Sequence, residues 1–247
     1  MRLRDPSSSA IQGVLFDLDG TLLDTAEDLV AAANWALTLE GLPPCPIDEV
    51  KPYISGGART ILGYWLVKTL EKRPVFKFPT LNVVSHTHEP LFDRLIEHMM
   101  GHYEAHPARY TQFFNGMESV LDVLDEQQIP WGIVTNKLTR YTQPVVQALA
   151  LEQRTQCIIS GDTTPHAKPH PMPLLEASQR LGIDPSQCVY IGDAARDIEA
   201  GQRAGMATLA ALYGYIGADE DVTSWGADDA LETPVDLLSW IAGQDGL

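Results

Sequence analysis

The 247 residues, 45% of them hydrophobic and 20% charged, are enough to bury a globular core and exclude a disordered or low-complexity chain. Acidic side chains outnumber basic ones 33 to 17, and the formal net charge of -16 argues against nucleic acid or an anionic membrane surface as partner. The three cysteines, Cys45, Cys157 and Cys188, show no CxxC spacing, so buried thiols in a reducing cytoplasm are expected rather than a disulfide framework or a thiolate metal site.

Met1 to Pro6 and the serines Ser7 to Ser9 lack the apolar segment of a signal peptide, and no later run is long enough to span a bilayer. The run Val14-Leu15-Phe16 predicts a buried strand that delivers Asp17-Leu18-Asp19-Gly20-Thr21 to its carboxyl end, where ligands bind in open α/β sheets. Two like charges placed there are costly unless compensated. A hard cation such as Mg²⁺ takes oxygen ligands and leaves positions for water or a substrate phosphate, which meets that need.

Thr25 to Glu40 has helical spacing in Leu29, Ala33, Ala36 and Leu37, with Thr25 and Asp28 as an expected capping box and Gly41 as the stop. Ser55-Gly56-Gly57 precedes a second helix to about Thr69. A third is expected from Pro90 to about Ala105, with Leu91, Leu95, Ile96 and Met99 on its apolar face. Between them, Arg73 to Glu89, with Pro74 and Pro79, reads as a loop.

From Gly116 the pattern alternates. A helix is expected near Met117 to Gln127, a strand at Trp131 to Val134, a helix near Tyr141 to Leu149, and a strand at Cys157 to Ile159. A helix near Pro173 to Leu181, a strand at Val189 to Ile191, a helix near Asp197 to Ala204 and a strand at Ala207 to Ala211 follow. Repeated βα units imply an α/β protein with a doubly wound parallel sheet. The core is then discontinuous, 1–24 and 107–247, with an all-helical insertion at 25–106 that begins where a lid would belong.

If one sheet end is the active site, polar residues should recur where later strands finish. Thr135-Asn136 follows Ile133-Val134 and offers hydroxyl, amide and backbone N–H donors to phosphate oxygens. Lys168 follows the next strand by a short polar loop and brings a compact positive charge. Gly192-Asp193 ends the strand after that, and Asp197 lies at the start of a helix, where capping explains one aspartate better than both.

Taken in order, DLDGT at Asp17 to Thr21, TN at Thr135-Asn136, Lys168, and GDxxxD from Gly192 to Asp197 resemble the motifs of the haloacid dehalogenase superfamily, and the helical insertion resembles its small cap. The resemblance implies a Rossmann-like core and Mg²⁺-dependent phosphomonoester hydrolysis of a small phosphorylated metabolite by a monomer or dimer. Asp17 would be the nucleophile that forms an aspartyl-phosphate and Asp19 the general acid and base. Asp17, the Asp19 backbone carbonyl and Asp193 would hold Mg²⁺. Thr135, Asn136 and Lys168 would hold the phosphoryl oxygens, with Asp197 behind them.

Dehalogenase members lack the second acid, so Asp19 points to phosphoryl chemistry. A phosphomutase or phosphotransferase, which tends to carry Glu-Asp where this chain has Gly192-Asp193, and a non-catalytic regulatory member are the alternatives. Within the superfamily the chain is most similar to the phosphoglycolate phosphatase branch. ISGGA at Ile54 to Ala58, IPWGIVTNK at Ile129 to Lys137, YGYI at Tyr213 to Ile216 and WGAD at Trp225 to Asp228 look more like enzymes acting on N-acetylmuramic acid 6-phosphate in cell-wall recycling. Arg59, after the glycine turn, is expected to contact substrate, a solvated surface arginine being the alternative. His98, His102 and His106 share one helix face without an evident carboxylate or cysteine partner, and His166 and His170 read as solvated. Trp35, Trp65 and Trp131 read as packing residues, and Asp219 to Asp229 as a solvated face.

Overall fold

The computed structural model describes residues 11–71, 89–217 and 220–244, so Met1 to Ser9 and nearly all of the expected Arg73–Glu89 loop lie outside the described residues. The chain divides into two compact units, Met1–Leu23 with Phe113–Gly214 and Asp221–Leu247, and Asp24–Gln112 with Tyr215–Glu220.

The first unit is the α/β core. Its strands are β1 (Gly13–Phe16), β4 (Trp131–Val134), β5 (Cys157–Ile159), β6 (Cys188–Gly192), β7 (Ala207–Ala211) and β8 (Asp229–Leu231). They form one sheet in the order β5-β4-β1-β6-β7-β8, and every pairing is parallel. Two short strands, β2 (Leu23–Asp24) and β3 (Gln112–Phe113), pair with each other where the chain passes between the units. The core helices are α5 (Met117–Glu126), α6 (Thr139–Ala148), α7 (Met172–Leu181), α8 (Ala195–Ala204) and α9 (Asp236–Gln244).

Strands β1, β4 and β6 are buried throughout, as expected for a sheet covered on both faces. Leu15, Val134, Ile159 and Tyr190 pack on one face with Leu174 and Ala177 of α7 and Ala200 of α8. Phe16 meets Trp131 edge-on. Phe16 pairs with Ile133 on one side and Ile191 on the other, so Asp17 leaves β1 level with the ends of both neighbours. Strand β8 and helix α9 have no counterpart in the sequence reading. The short edge strand buries only Leu231, and α9 only Leu237 and Ile241, too little for a clear period.

The second unit is helical, with α1 (Ala26–Leu39), α2 (Ile47–Val50), α3 (Ala58–Leu66) and α4 (Glu89–Ala105). A 3₁₀ segment, Lys51–Gly56, leads into α3, and a π-helical turn, Val67–Glu71, ends what the sequence suggests is a longer helix. Leu37, Ile61, Leu62, Leu95 and Met99 form its core.

Two expectations are corrected here. Thr25 makes no side-chain cap, and Asp28 is not half of a capping box. Its carboxylate instead accepts from the Tyr110 and Thr111 N–H groups and the Thr111 hydroxyl, tying α1 to the end of the insertion. The donor a capping box would satisfy is met by the Tyr215 hydroxyl, which accepts from both Thr25 N and Ala26 N. Trp35 is not a core residue. It is 50% exposed and lies against His102, whereas Trp65 and Trp131 are buried. Among the described residues, no helix is long and apolar enough to cross a membrane. The three cysteines are buried and free, and burial holds their thiols up at about 11 for Cys45 and Cys157 and about 12 for Cys188.

Candidate active site

The site is built at the carboxyl edge of the sheet. The Asp17 N–H donates to Ile191 O at 2.9 Å, which prolongs the β1–β6 pairing by one residue, and the chain then turns back on itself through Leu22 and Leu23 N–H bonds to Leu18 O. Asp17 is buried, and its Oδ1 takes both the Leu18 N–H at 2.7 Å and the Lys168 ammonium at 2.9 Å. Both contacts fall on one oxygen, so Oδ2 is the atom left to meet a phosphorus or a cation.

Lys168 has a wholly buried side chain between two carboxylates, with its Nζ 2.9 Å from Asp17 Oδ1 and 2.8 Å from Asp197 Oδ1. It also donates to Val134 O at 2.9 Å and meets the Tyr190 hydroxyl at 2.7 Å. An ammonium has three protons, and these four oxygens use all of them. The Lys168 ammonium is thus held by Asp17, Asp197, Val134 O and the Tyr190 hydroxyl.

Asn136 is tied to the Lys168 loop. Its side-chain amide donates to Lys168 O at 2.9 Å while its Oδ1 accepts the Lys168 N–H at 2.9 Å. A reciprocal clamp of that kind fixes the loop carrying Lys168 and leaves the second Nδ2 proton and the backbone N–H of Asn136 to donate to a ligand. The Thr135 N–H is likewise spent on Ile159 O, but the Thr135 hydroxyl accepts from Lys137 N and keeps its own proton to donate.

Asp193 follows β6 directly and is buried. Asp197, at the start of α8, shares its oxygens between Lys168 and the Ala194 N–H. Gly192 is required between them, because a Cβ there would lie 2.3 Å from Asp197 Cβ. Gly214 plays the same part after β7, where a Cβ would meet Asp193 Cβ and Gly20 O, both at 2.4 Å. Close approach, not backbone freedom, demands both glycines.

Electrostatics follow from this packing. Burial pushes the Asp17 carboxyl up, against the opposing pull of Lys168. Burial also raises Tyr190, with Asp197 and Asp17 adding to the effect. For Arg196, burial works against the charge, but the carboxylates of Asp197, Asp17 and Asp193 outweigh it and hold the guanidinium charged.

Oxygens of Asp17, Asp193 and Asp197 lie within 4.8 Å of one another, a hard-donor set that suits Mg²⁺. Asp197 is already committed to Lys168, which leaves Asp17 and Asp193 as the side chains able to take a cation. The buried hydroxyls of Thr21 and Tyr213 have no hydrogen-bond partner within the protein. Polar atoms in that state suit the waters that Mg²⁺ retains.

Asp19 is less enclosed. Its Oδ1 is 2.6 Å from Lys137 Nζ, and the two side chains are 18% and 8% exposed. Arg59 belongs to the other unit, on α3, where its exposed guanidinium lies over Phe92 and 3.9 Å from Asp93. His98 has the carboxylate neighbour the sequence did not suggest, Glu40 at 3.6 Å, and His166 stacks on His170.

Four residues of the candidate site were given no role by sequence reasoning. Lys137 is one position beyond Asn136 and enters the sequence reading only as the end of the IPWGIVTNK stretch. Tyr190 reads as a strand former, although a tyrosine within an otherwise apolar buried run signals a hydroxyl that needs a partner. Arg196 is hidden inside the spacing from Asp193 to Asp197, and Tyr213 enters the sequence reading only as the start of the YGYI stretch.

The profile of the haloacid dehalogenase-like hydrolases matches residues 14–211. The phosphoglycolate phosphatase of Xanthomonas campestris is 38% identical over 226 residues, which cover 92% of this chain and 94% of that protein. The N-acetylmuramic acid 6-phosphate phosphatase of Pseudomonas aeruginosa is 36% identical over 228 residues, covering 92% and 93%. Among solved structures, a predicted phosphoglycolate phosphatase from Haemophilus somnus superposes with a TM-score of 0.77 at 26% identity, covering 93% of this chain and 97% of that one.

Proposed function

This chain belongs to the haloacid dehalogenase-like hydrolase family, and from that premise we propose that it is a cytoplasmic, Mg²⁺-dependent phosphomonoester hydrolase working through an aspartyl-phosphate on Asp17. The observation that carries the reading is the asymmetric holding of Asp17, with Lys168 and the Leu18 N–H both on Oδ1. Oδ2 attacks phosphorus, the ester bond breaks, and Asp19 gives its proton to the leaving alcohol. Water then attacks the phosphoryl group, Asp19 takes a proton from it, and inorganic phosphate leaves with Asp17 restored.

Asp17, the Asp19 backbone carbonyl and Asp193 would hold Mg²⁺, with Asp197 behind them fixing Lys168. The ion supplies positive charge against the repulsion between a carboxylate and a phosphate dianion, about 4 kcal/mol at 4 Å with an effective dielectric near 20. The Thr135 hydroxyl and the Asn136 N–H would hold phosphoryl oxygens. The helical unit, 24–112, would select the substrate, with Arg59 as its contact residue. The leading substrates are 2-phosphoglycolate and N-acetylmuramic acid 6-phosphate, after the relatives named for them.

A phosphate-release screen with Mg²⁺ over those two esters and common sugar phosphates tests the reading. Turnover that vanishes in Asp17→Asn is expected. No phosphate from any ester would point to a non-catalytic member, and a phosphoryl group reappearing on a sugar would point to a transferase.

A further inference from the structure

Lys168 is saturated by its four protein oxygens, so the negative charge of a substrate beyond its phosphoryl group needs another cation. Lys137 is the cation beside the other catalytic carboxylate. Its side chain is 8% exposed and its Nζ sits 2.6 Å from Oδ1 of Asp19, the carboxylate read above as the proton donor to the leaving group. Its backbone is fixed at both ends, the N–H donating to Thr135 Oγ1 at 3.1 Å and the carbonyl accepting from Gly161 N at 2.8 Å. A nearly buried lysine tied in this way loses little further freedom on meeting an anion, which is what a recognition group requires.

Given the hydrolase reading above, on which this inference rests, we propose that Lys137 is a specificity-determining residue that pairs with a carboxylate separated from the ester oxygen by one carbon. Whatever atom Asp19 protonates lies next to Lys137, so a carboxylate in that place is brought against the ammonium. 2-Phosphoglycolate carries its carboxylate there. N-acetylmuramic acid 6-phosphate carries its own on the lactyl ether, at the far side of the sugar ring from the phosphate, and cannot use Lys137 in the same way. The acidic balance of the whole chain, -16, offers no general attraction for an ester that carries a carboxylate as well as its phosphate, so local cations must supply it.

The test compares 2-phosphoglycolate with its neutral amide, 2-phosphoglycolamide, for the unmodified protein, Lys137→Met and Lys137→Arg. Both substitutions disturb Asp19, so the readout is the ratio of kcat/KM for the two esters, from which that shared effect cancels. The unmodified protein should prefer the carboxylate about 10- to 100-fold, the worth of one charge-assisted hydrogen bond. Lys137→Met should bring the ratio close to one, chiefly through KM, and Lys137→Arg should restore much of it. Calorimetric binding of 2-phosphoglycolate to Asp17→Asn should weaken by a similar factor when Lys137→Met is added. Equal losses on both esters would overturn the proposal and leave Lys137 as a support for Asp19 alone. Hydrolysis of other phosphomonoesters with no preference for the carboxylate would overturn it while the hydrolase reading stands. Failure of the unmodified protein to hydrolyse any ester would remove both.

Discussion

Replacing Lys168 by methionine, which keeps most of the stem volume and deletes the charge, probes the arrangement around Asp17 most severely. The ammonium is 2.9 Å from Asp17 Oδ1 and 2.8 Å from Asp197 Oδ1, so each attraction is about 6 kcal/mol at an effective dielectric near 20. Asp17 and Asp197 oxygens lie within 4.8 Å of each other, so the unscreened pair left behind repels by at least about 3 kcal/mol on the same basis. Recovering the hydration of the lysine offsets much of this, and breaking a buried pair by removing one partner costs about 3–5 kcal/mol net. For a chain of this size that is a fall in Tm of about 6 to 20 °C in metal-free buffer. Adding Asp197→Asn to Lys168→Met should recover about 1–3 kcal/mol, because it removes the repulsion the first change exposed. Thermal unfolding followed by circular dichroism on the two single variants and the double variant gives all the terms. A Tm within about 2 °C of the parent, or losses that add in the double variant, would refute the view that Lys168 neutralises both carboxylates.

Two further outcomes are expected. In Gly192→Ala, a Cβ 2.3 Å from Asp197 Cβ forces that side chain off Lys168 and off the Ala194 N–H, so Tm should fall by the equivalent of about 2–5 kcal/mol and phosphate release by about 100-fold. An active, stable alanine variant would mean that the helix start can shift freely. In the helical unit, His102 is held below the ordinary 6.5 by partial burial first and then by His106 and Arg109. The unfolded chain then binds a proton more readily than the folded one, so this contribution to stability is present above pH 6.5 and is lost as pH falls through the folded value. His102→Gln should lose less Tm between neutrality and about pH 5 than the parent does. An NMR titration placing His102 at or above 6.5 would contradict the assignment.

The parallel sheet was legible because most of its strands are short, largely apolar runs, and β1, β4, β5 and β6 lead directly into polar residues. Trp131–Val134, Cys157–Ile159 and Ala207–Ala211 match the expected bounds residue for residue. The same logic brought Asp17, Lys168, Asp193 and Asp197 to one edge, since parallel strands in register must place their carboxyl ends together. What stayed illegible was which polar atoms are spent on one another. Asn136 reads as a ligand donor, yet its amide clamps Lys168. Asp28 reads as a cap, yet it holds Thr111, a partner 83 residues away that no local spacing announces. Lys137 and Tyr190 matter through contacts across strands, and Trp35 is half exposed although Ala32, Ala33, Ala36 and Leu37 beside it in α1 are buried.

The central claim is that Asp17, and not Asp19, carries the phosphoryl group. Acid-quenching the enzyme during turnover of a hydrolysed ester, reducing with borohydride and sequencing the peptide that spans Val14 to Thr21 tests it directly. Homoserine at position 17, formed only with substrate and Mg²⁺ present, is the predicted result. Conversion at position 19, or turnover with position 17 untouched, would contradict the account.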